Sequence, residues 1–418
     1  MTDLDGWKSC RIHELGHIQA GRQRSPHHIR GDLRPYLRVA NVFDGYIDSS
    51  DVYQMKFTDS EFEQYKLAPG DLLLNEGQSL ELVGRCAMYE GEPKECCFQN
   101  TLIRFRSNKK TRPEFMLALF QYLQASGRFS RIASQTTSVA HLGVSRFARL
   151  KVHLPPLQVQ RKIAELLADW DRAIQSAERL LSLKERRKRT LMGQLLTGRR
   201  RYPDFVKSRK VRNTRFGGRP FDWAYIEIGE IAREISDRAG LHDCSPVFSC
   251  TKSAGLVPSL EYFGKRVFSE DTSTYKKVRK GQFAYATNHL EEGSIGLLEH
   301  ADAGLVSPMY TVFQTGPAVN TTFLYALFKT ELYRHIFEVY TSSSVDRRGS
   351  LRWNEFKKIH VALPPLEEQS RIAALIDICD HEIRQVANEV ECLKRQKRGL
   401  MSKLLTGQVR IPHSRERM

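Results

Sequence analysis

Among its eight cysteines this 418-residue sequence has no CxxC pair, and it has no run of eighteen apolar residues, no GxxxxGK[ST] and no GxGxxG. With Cys96 and Cys97 adjacent, the first absence suits reduced thiols more than a disulfide framework. The second leaves no membrane-spanning helix. The stretch Met1 to Trp7 lacks the basic and apolar regions of a signal peptide, so a cytoplasmic location is expected. The last two absences remove the common phosphate-cradling loops. Ser249-Cys250-Thr251-Lys252 fits SxxK, but no SDN or KTG partner accompanies it. Two Leu-Pro-Pro-Leu segments lack the polar and aromatic residues with which amino-methyltransferases hold a flipped base. Pro203-Asp204 has no downstream carboxylate and lysine to complete a nuclease site. Neither a catalytic group nor a bound cofactor or metal is expected on this chain.

One literal motif tests that expectation. His13-Glu14-Leu15-Gly16-His17 spells HExxH, which in a zinc peptidase places two histidines one helical turn apart with glutamate as general base. Here the segment follows a strand-like stretch and contains Gly16. The extended pattern also fails at Ala20 and Gln23, and the matching segment of the second half, Gly229 to Arg233, has no histidine. Two histidines near a turn are the better reading.

What the sequence has in excess is positive charge. Lys and Arg number 65 against 48 Asp and Glu, a formal net charge of +17. The cations cluster at Lys184 to Arg189, Arg199-Arg200-Arg201, Lys207 to Arg219, Arg347 to Arg352 and Lys394 to Arg398. A solvated basic face accounts for one such run; five without matching acidic blocks point to a polyanion, and nucleic acid is the commonest. Hydrophobic content of 41% and aromatic content of 10% are those of a folded protein, with length for two or three domains.

The chain also uses one stretch twice. Leu154-Pro155-Pro156-Leu157 to Leu195-Leu196-Thr197-Gly198 returns as Leu363-Pro364-Pro365-Leu366 to Leu404-Leu405-Thr406-Gly407. The offset is 209 at the start (363 − 154) and at the end (407 − 198). Apolar residues recur in a 4,3 stagger at Ile163, Leu167, Trp170, Ile174, Ala177 and Leu181, and again at Ile372, Ile376, Cys379, Ile383, Val386, Val390 and Leu393. This heptad seam predicts two helices of equal length packed as an antiparallel coiled coil. Two unrelated surface helices would need neither matched length nor a shared seam. Lys188 and Lys397 occupy matching seam positions, where a lysine either sets register or reaches to water.

Each helix follows a globule, and the globules repeat loosely. Trp223-x4-Ile228 answers Trp7-x4-Ile12, Lys280 to Tyr285 answers Pro69 to Leu74, and Phe323 to Phe328 answers Phe115 to Phe120. Expected strands are Trp7 to Ile18 with a turn, Tyr36 to Val42, Leu72 to Leu74 and Thr101 to Phe105; Pro113 to Leu123 reads as a helix. The fold class is α+β with a pseudo-two-fold internal repeat. It comprises a first globular α/β domain at 1–153, a helix at 154–201, a basic linker at 202–220, a second domain at 221–362, a helix at 363–410 and a tail at 411–418. The helices match closely whereas the surface loops barely match, which suits two different ligand sequences held a fixed distance apart.

Two variable globules, each followed by LPPL…Q…I and a helix ending Leu-Leu-Thr-Gly, resemble the specificity subunit of type I restriction–modification enzymes. Tyr36 to Val42, Lys66 to Asn75 and Leu82 to Arg85 also look like motifs of that family's first target-recognition domain. The resemblance runs from about Trp7 to Arg410. It implies a non-catalytic subunit that binds a bipartite, asymmetric double-stranded DNA site. It further implies two methyltransferase subunits using S-adenosylmethionine on adenine, and restriction subunits using ATP and Mg. Base edges are read by polar and basic side chains. The DNA-binding candidates are Gln78, Ser79, Arg85, Gln135, Thr136, Thr137 and His141 in the first domain, and Asn288, His289, Arg347, Arg348 and Arg352 in the second. Glu178, Glu185, Glu382 and Glu389, on the outer helix faces, are candidates for docking the methyltransferases. The competing readings are a fused recognition and cleavage enzyme, a zinc peptidase through HELGH, and a coiled-coil scaffold binding an acidic protein.

Overall fold

The computed structural model describes residues 6–25, 29–136, 138–240, 243–342 and 350–409, with the side chain of Thr136 left aside. The chain divides into two compact units, one of Met1–Glu178 with Asn388–Met418, the other of Arg179–Ala387.

The first unit is built on a four-stranded antiparallel sheet in the order Gly16–Ala20, Leu102–Ser107, Leu72–Asn75, Cys86–Met88. Alternation along the central strand sends Leu72 and Leu74 to one face and Leu73 to the other, and each face carries its own core. On the first face lies the helix Pro113–Ala125, whose Phe120 meets Phe105 edge-on at 5.1 Å between ring centres. Leu37, Tyr89 and Phe98 cover the other. A strand at Lys8–Arg11 pairs antiparallel with Lys151–Leu154, the strand that feeds the first long helix.

The second unit repeats this plan. Its sheet runs Ala232–Ile235, Tyr310–Thr315, Phe283–Ala286, Ile295–Leu297, again antiparallel. Phe283 and Tyr285 face one core and Ala284 the other, as Leu72, Leu74 and Leu73 do. The helix Thr321–Phe328 takes the place of Pro113–Ala125, and Ala224–Glu227 pairs with His360–Leu363 ahead of the second long helix.

The long helices span Leu157–Leu195 and Leu366–Leu405. Both follow a Pro-Pro pair and both end on a left-handed glycine, Gly198 at φ +72° and Gly407 at φ +70°. Within each unit the start of one helix packs on the end of the other. Ile163 and Leu167 share a core with Met401, Leu404 and Leu405 in the first unit, and Ile372 and Ile376 share one with Leu195 and Leu196 in the second. Ion pairs fix the direction. Lys397 meets Asp171 and Lys394 meets Glu178 in the first unit, while Lys188 meets Asp380 and Lys184 meets Glu382 in the second. Partner numbers fall on one helix as they rise on the other, so the stretches run antiparallel. Lys188–Asp380 and Lys397–Asp171 are one contact made twice (397 − 188 and 380 − 171 are both 209). Ile174 and Val390 are buried along the same stripe, and Trp170, Leu181, Ile383 and Leu393 are half-buried.

Three local expectations need correction. Tyr36 to Val42 is not one strand: the strand Asp32–Leu37 gives way to a 3-10 turn at Val39–Asn41. The reason is Asn41, whose buried amide donates to the carbonyls of Asp48 and Asp51 while its oxygen accepts from Arg38 N. The stretch 202–220, read as a linker, holds a 3-10 turn at Pro203–Phe205 and a hairpin of Val211–Thr214 with Gly217–Pro220. Glu178 and Glu382, read as outward-facing, are engaged by lysines of the opposite helix at 2.9 and 2.8 Å.

Candidate nucleic-acid interface

Each globule is pinned to its helix by one buried glutamine. In the first unit Gln160 Nε2 donates to Pro155 O at 2.8 Å and Lys110 O at 3.1 Å, and its Oε1 accepts from Arg112 N at 3.0 Å. In the second, Gln369 Nε2 donates to Pro364 O at 2.8 Å and Ala318 O at 3.3 Å, and its Oε1 accepts from Asn320 N at 2.9 Å. Each amide joins the helix start to the turn before the sheet-covering helix, satisfying groups that burial would otherwise leave unpaired.

The loops carrying the candidate side chains leave the same end of the central strand in each unit. After Leu72–Asn75 the chain runs through Glu76 to Gln78, and after Phe283–Ala286 through Thr287 to His289. A second polar stretch is tied there by the same backbone bond: Leu142 N to Glu76 O at 2.8 Å, and Leu351 N to Thr287 O at 2.7 Å.

In the first unit that bond closes a small sheet of Gly77–Gln78, Val139–His141 and Ser134–Thr136. Gln78 and Gln135 both stand opposite Ala140, so they share its face, whereas His141 stands opposite Ser134 and Gly77 on the other. The structure therefore collects Gln78, Gln135 and His141 within three adjacent strands but splits them between two faces. His141 Nδ1 lies 3.0 Å from Glu76 Oε2. Ser79 follows Gln78 in an exposed turn, and the half-buried Arg85 guanidinium lies 5.9 Å over Phe43. Thr136 belongs to the strand by its backbone, and Thr137 lies outside the described residues.

In the second unit Asn288 and His289 are exposed, and the Leu351 bond brings the exposed Arg352 beside them. Arg347 and Arg348 lie outside the described residues. Among the described residues, His289, Glu291 and Glu292 form the one group of three metal-capable side chains, within 4.8 Å of one another. Lys252 already engages Glu292 at 2.7 Å and its hydrogen bond holds that carboxyl below its ordinary range, so the group carries no metal assignment. The HELGH segment does not form a helical metal site: His13 and Glu14 sit in the 3-10 turn Ile12–Glu14, and His17 sits in the strand Gly16–Ala20. His13 faces Ala148 O at 3.0 Å, and Glu14 accepts from Arg11 N.

One organising side chain was missed. Arg146 binds Ser134 Oγ at 2.9 Å, His141 O at 2.7 Å and Leu142 O at 3.1 Å, clamping the small sheet from the helix Val144–Arg149. A basic residue five positions after the polar stretch was the available signal.

The comparisons with known proteins bear on this arrangement. A family model described as the type I restriction modification DNA specificity domain matches residues 5–185 and 222–391, once per half. The chain belongs to that family. Specificity subunits of this kind are non-catalytic. A putative type I restriction enzyme MjaX specificity subunit of Methanocaldococcus jannaschii is 26% identical over 90% of this chain and 87% of its own. The EcoKI specificity subunit of Escherichia coli is 28% identical over 33% of this chain and 31% of its own. Among solved structures, a chain from work on assembly and conformational transition of the type I R-M system matches with TM-score 0.60 and 16% identity, covering 97% of this chain and 98% of that one. The HsdS subunit of Thermoanaerobacter tengcongensis matches with TM-score 0.50 and 16% identity over 97% of each chain. At these identities the structural likeness concerns the fold. No helix among the described residues is long and apolar enough to cross a membrane.

Proposed function

We propose that this specificity subunit binds a bipartite, asymmetric site in duplex DNA, one half-site per globule. Bound there, it directs adenine methylation and restriction by partner subunits. The observation that carries this reading is the repeat itself. Sheet order, glutamine pin and backbone tether recur, while the side chains on the tethered loops differ: Gln78, Gln135 and His141 in one unit, Asn288, His289 and Arg352 in the other. A shared scaffold with unlike loops is what two unlike half-sites require. The long helices, 39 and 40 residues, act as an antiparallel coiled coil whose length sets the unread spacer; at 1.5 Å per residue each is about 60 Å long, one to two turns of DNA. Its free faces dock two methyltransferase subunits. S-adenosylmethionine, ATP and Mg belong to the partner subunits, the last two with the restriction subunits.

The test is a map of methylated adenines in host DNA with and without this gene. Loss of one split motif on deletion is expected; an unchanged map would overturn the reading for this system.

A further inference from the structure

A cleft of about 990 Å³ in the second unit has none of the candidate base-reading residues in its lining. Its walls are the last turns of the first long helix, the hairpin 211–220 with the segment before it, and the first turn of the helix Glu331–Ser342. Arg189, Arg199, Arg209, Lys210 and Arg219 line it, and none has an acidic partner among the described residues. Arg201 also reaches this wall, but Glu368 and Asp222 neutralise it. The one acidic side chain on the lining, Glu331, is taken by Arg334 at 2.6 Å.

Arg219 is the anomalous group. It is 8% exposed, yet its guanidinium donates only to the carbonyls of Gly218 and Phe216, at 2.6 and 3.1 Å. Burial pushes it below its ordinary value, as expected for a cation placed in a wall without a carboxylate. A buried charge normally has a counter-charge. The two helix ends facing the cleft act in opposite senses: the capped C-terminus at Gly198 disfavours an anion and the N-terminus at Thr330 and Glu331 favours one. The unpaired cations therefore decide the sign.

We propose that this cleft binds a phosphate-rich anion, with Arg209, Lys210 and Arg199 at its mouth and Arg219 in its wall. The chemistry fits a nucleoside polyphosphate or a run of nucleic-acid backbone phosphates, because guanidinium groups meet phosphate oxygens through paired donors. The site is separate from base reading and does not depend on the function proposed above.

The test is calorimetric titration of the full chain with inorganic tripolyphosphate, with ATP, and with a short duplex of arbitrary sequence. The same titrations are run on the double variant Arg209→Glu/Lys210→Glu, whose side chains are exposed, and on a charge-matched variant Lys109→Glu/Lys110→Glu in the other unit. Tripolyphosphate should bind the native chain and the second variant alike, and the first variant about tenfold more weakly or worse. Competition by the duplex identifies nucleic-acid backbone as the source, and competition by ATP alone identifies a free nucleotide. Failure of tripolyphosphate to bind, or equal weakening by both variants, would overturn the site.

Discussion

Val159 and Glu368 hold the same place in the two halves, 209 residues apart, and solve the same packing problem by opposite means. Val159 joins an apolar core with Met401, Leu404 and Leu405. Glu368, 0% exposed, receives Arg201 through two hydrogen bonds of 2.9 and 2.8 Å and Trp223 Nε1 at 3.3 Å, while Arg201 also reaches Asp222 at 2.6 Å. The Glu368 bond is the largest influence on Arg201 and holds it above its ordinary value, with burial opposing. One unit thus closes its helix crossing with methyl groups and the other with a buried ion cluster. The comparison teaches that at this crossing the repeat keeps its geometry while the interactions that enforce it differ. It also ties the segment after the first helix to one partner set, because a buried charge tolerates few alternatives.

Substitutions in the buried cluster probe that difference. The largest effect belongs to Arg201→Met, which leaves Glu368 buried without its cation and should cost about 3–5 kcal/mol in urea unfolding of the second unit. Adding Glu368→Val should recover most of that loss by making the crossing resemble the first unit. A single variant no worse than a surface substitution would mean that the cluster is incidental.

The glutamine pins offer the opposite expectation, equality. Gln160→Ala and Gln369→Ala each strand a buried proline carbonyl and should each cost about 1–3 kcal/mol, read by hydrogen exchange in the respective unit. A loss in one unit alone would break the claim of a shared scaffold.

The smallest effect is in acid. Burial pushes the Asp222 carboxyl up, but hydrogen bonds from Arg201 and Lys207 N outweigh it and hold it below its ordinary 3.8. A depressed folded value means that its stabilisation is present above pH 3.8 and is lost as the pH falls through the folded value. Asp222→Asn should therefore flatten the acid limb of stability in the second unit and leave the first unit's limb unchanged. A limb in the second unit as steep as the native one would show that Asp222 does not carry it.

The long helices were legible because a heptad stripe is local and survives in sequence, from Ile163 to Leu181 and from Ile372 to Leu393. The central strands were legible for a similar reason, since Leu72 to Leu74 is a short apolar run after Pro-Gly-Asp. What escaped detection depended on distant partners. Nothing near Gln78 announces a pairing with Ala140, and Glu368 reads as a first-turn surface acid until Arg201 arrives from 167 positions away. The hairpin 211–220 was hidden by its own basic composition, which suits a solvated linker equally well. Sequence alone named Gln78, Gln135 and His141 as candidates; that they meet in one small sheet, with Gln135 and His141 on opposite faces, needed the register.

In the proposed function, helix length is the ruler between two unlike readers. The direct measurement is to insert one heptad into both long helices and map the methylated motif. Seven residues add about 10 Å, so both half-sites should persist with a spacer about three base pairs longer. The original motif with its original spacer would contradict the account.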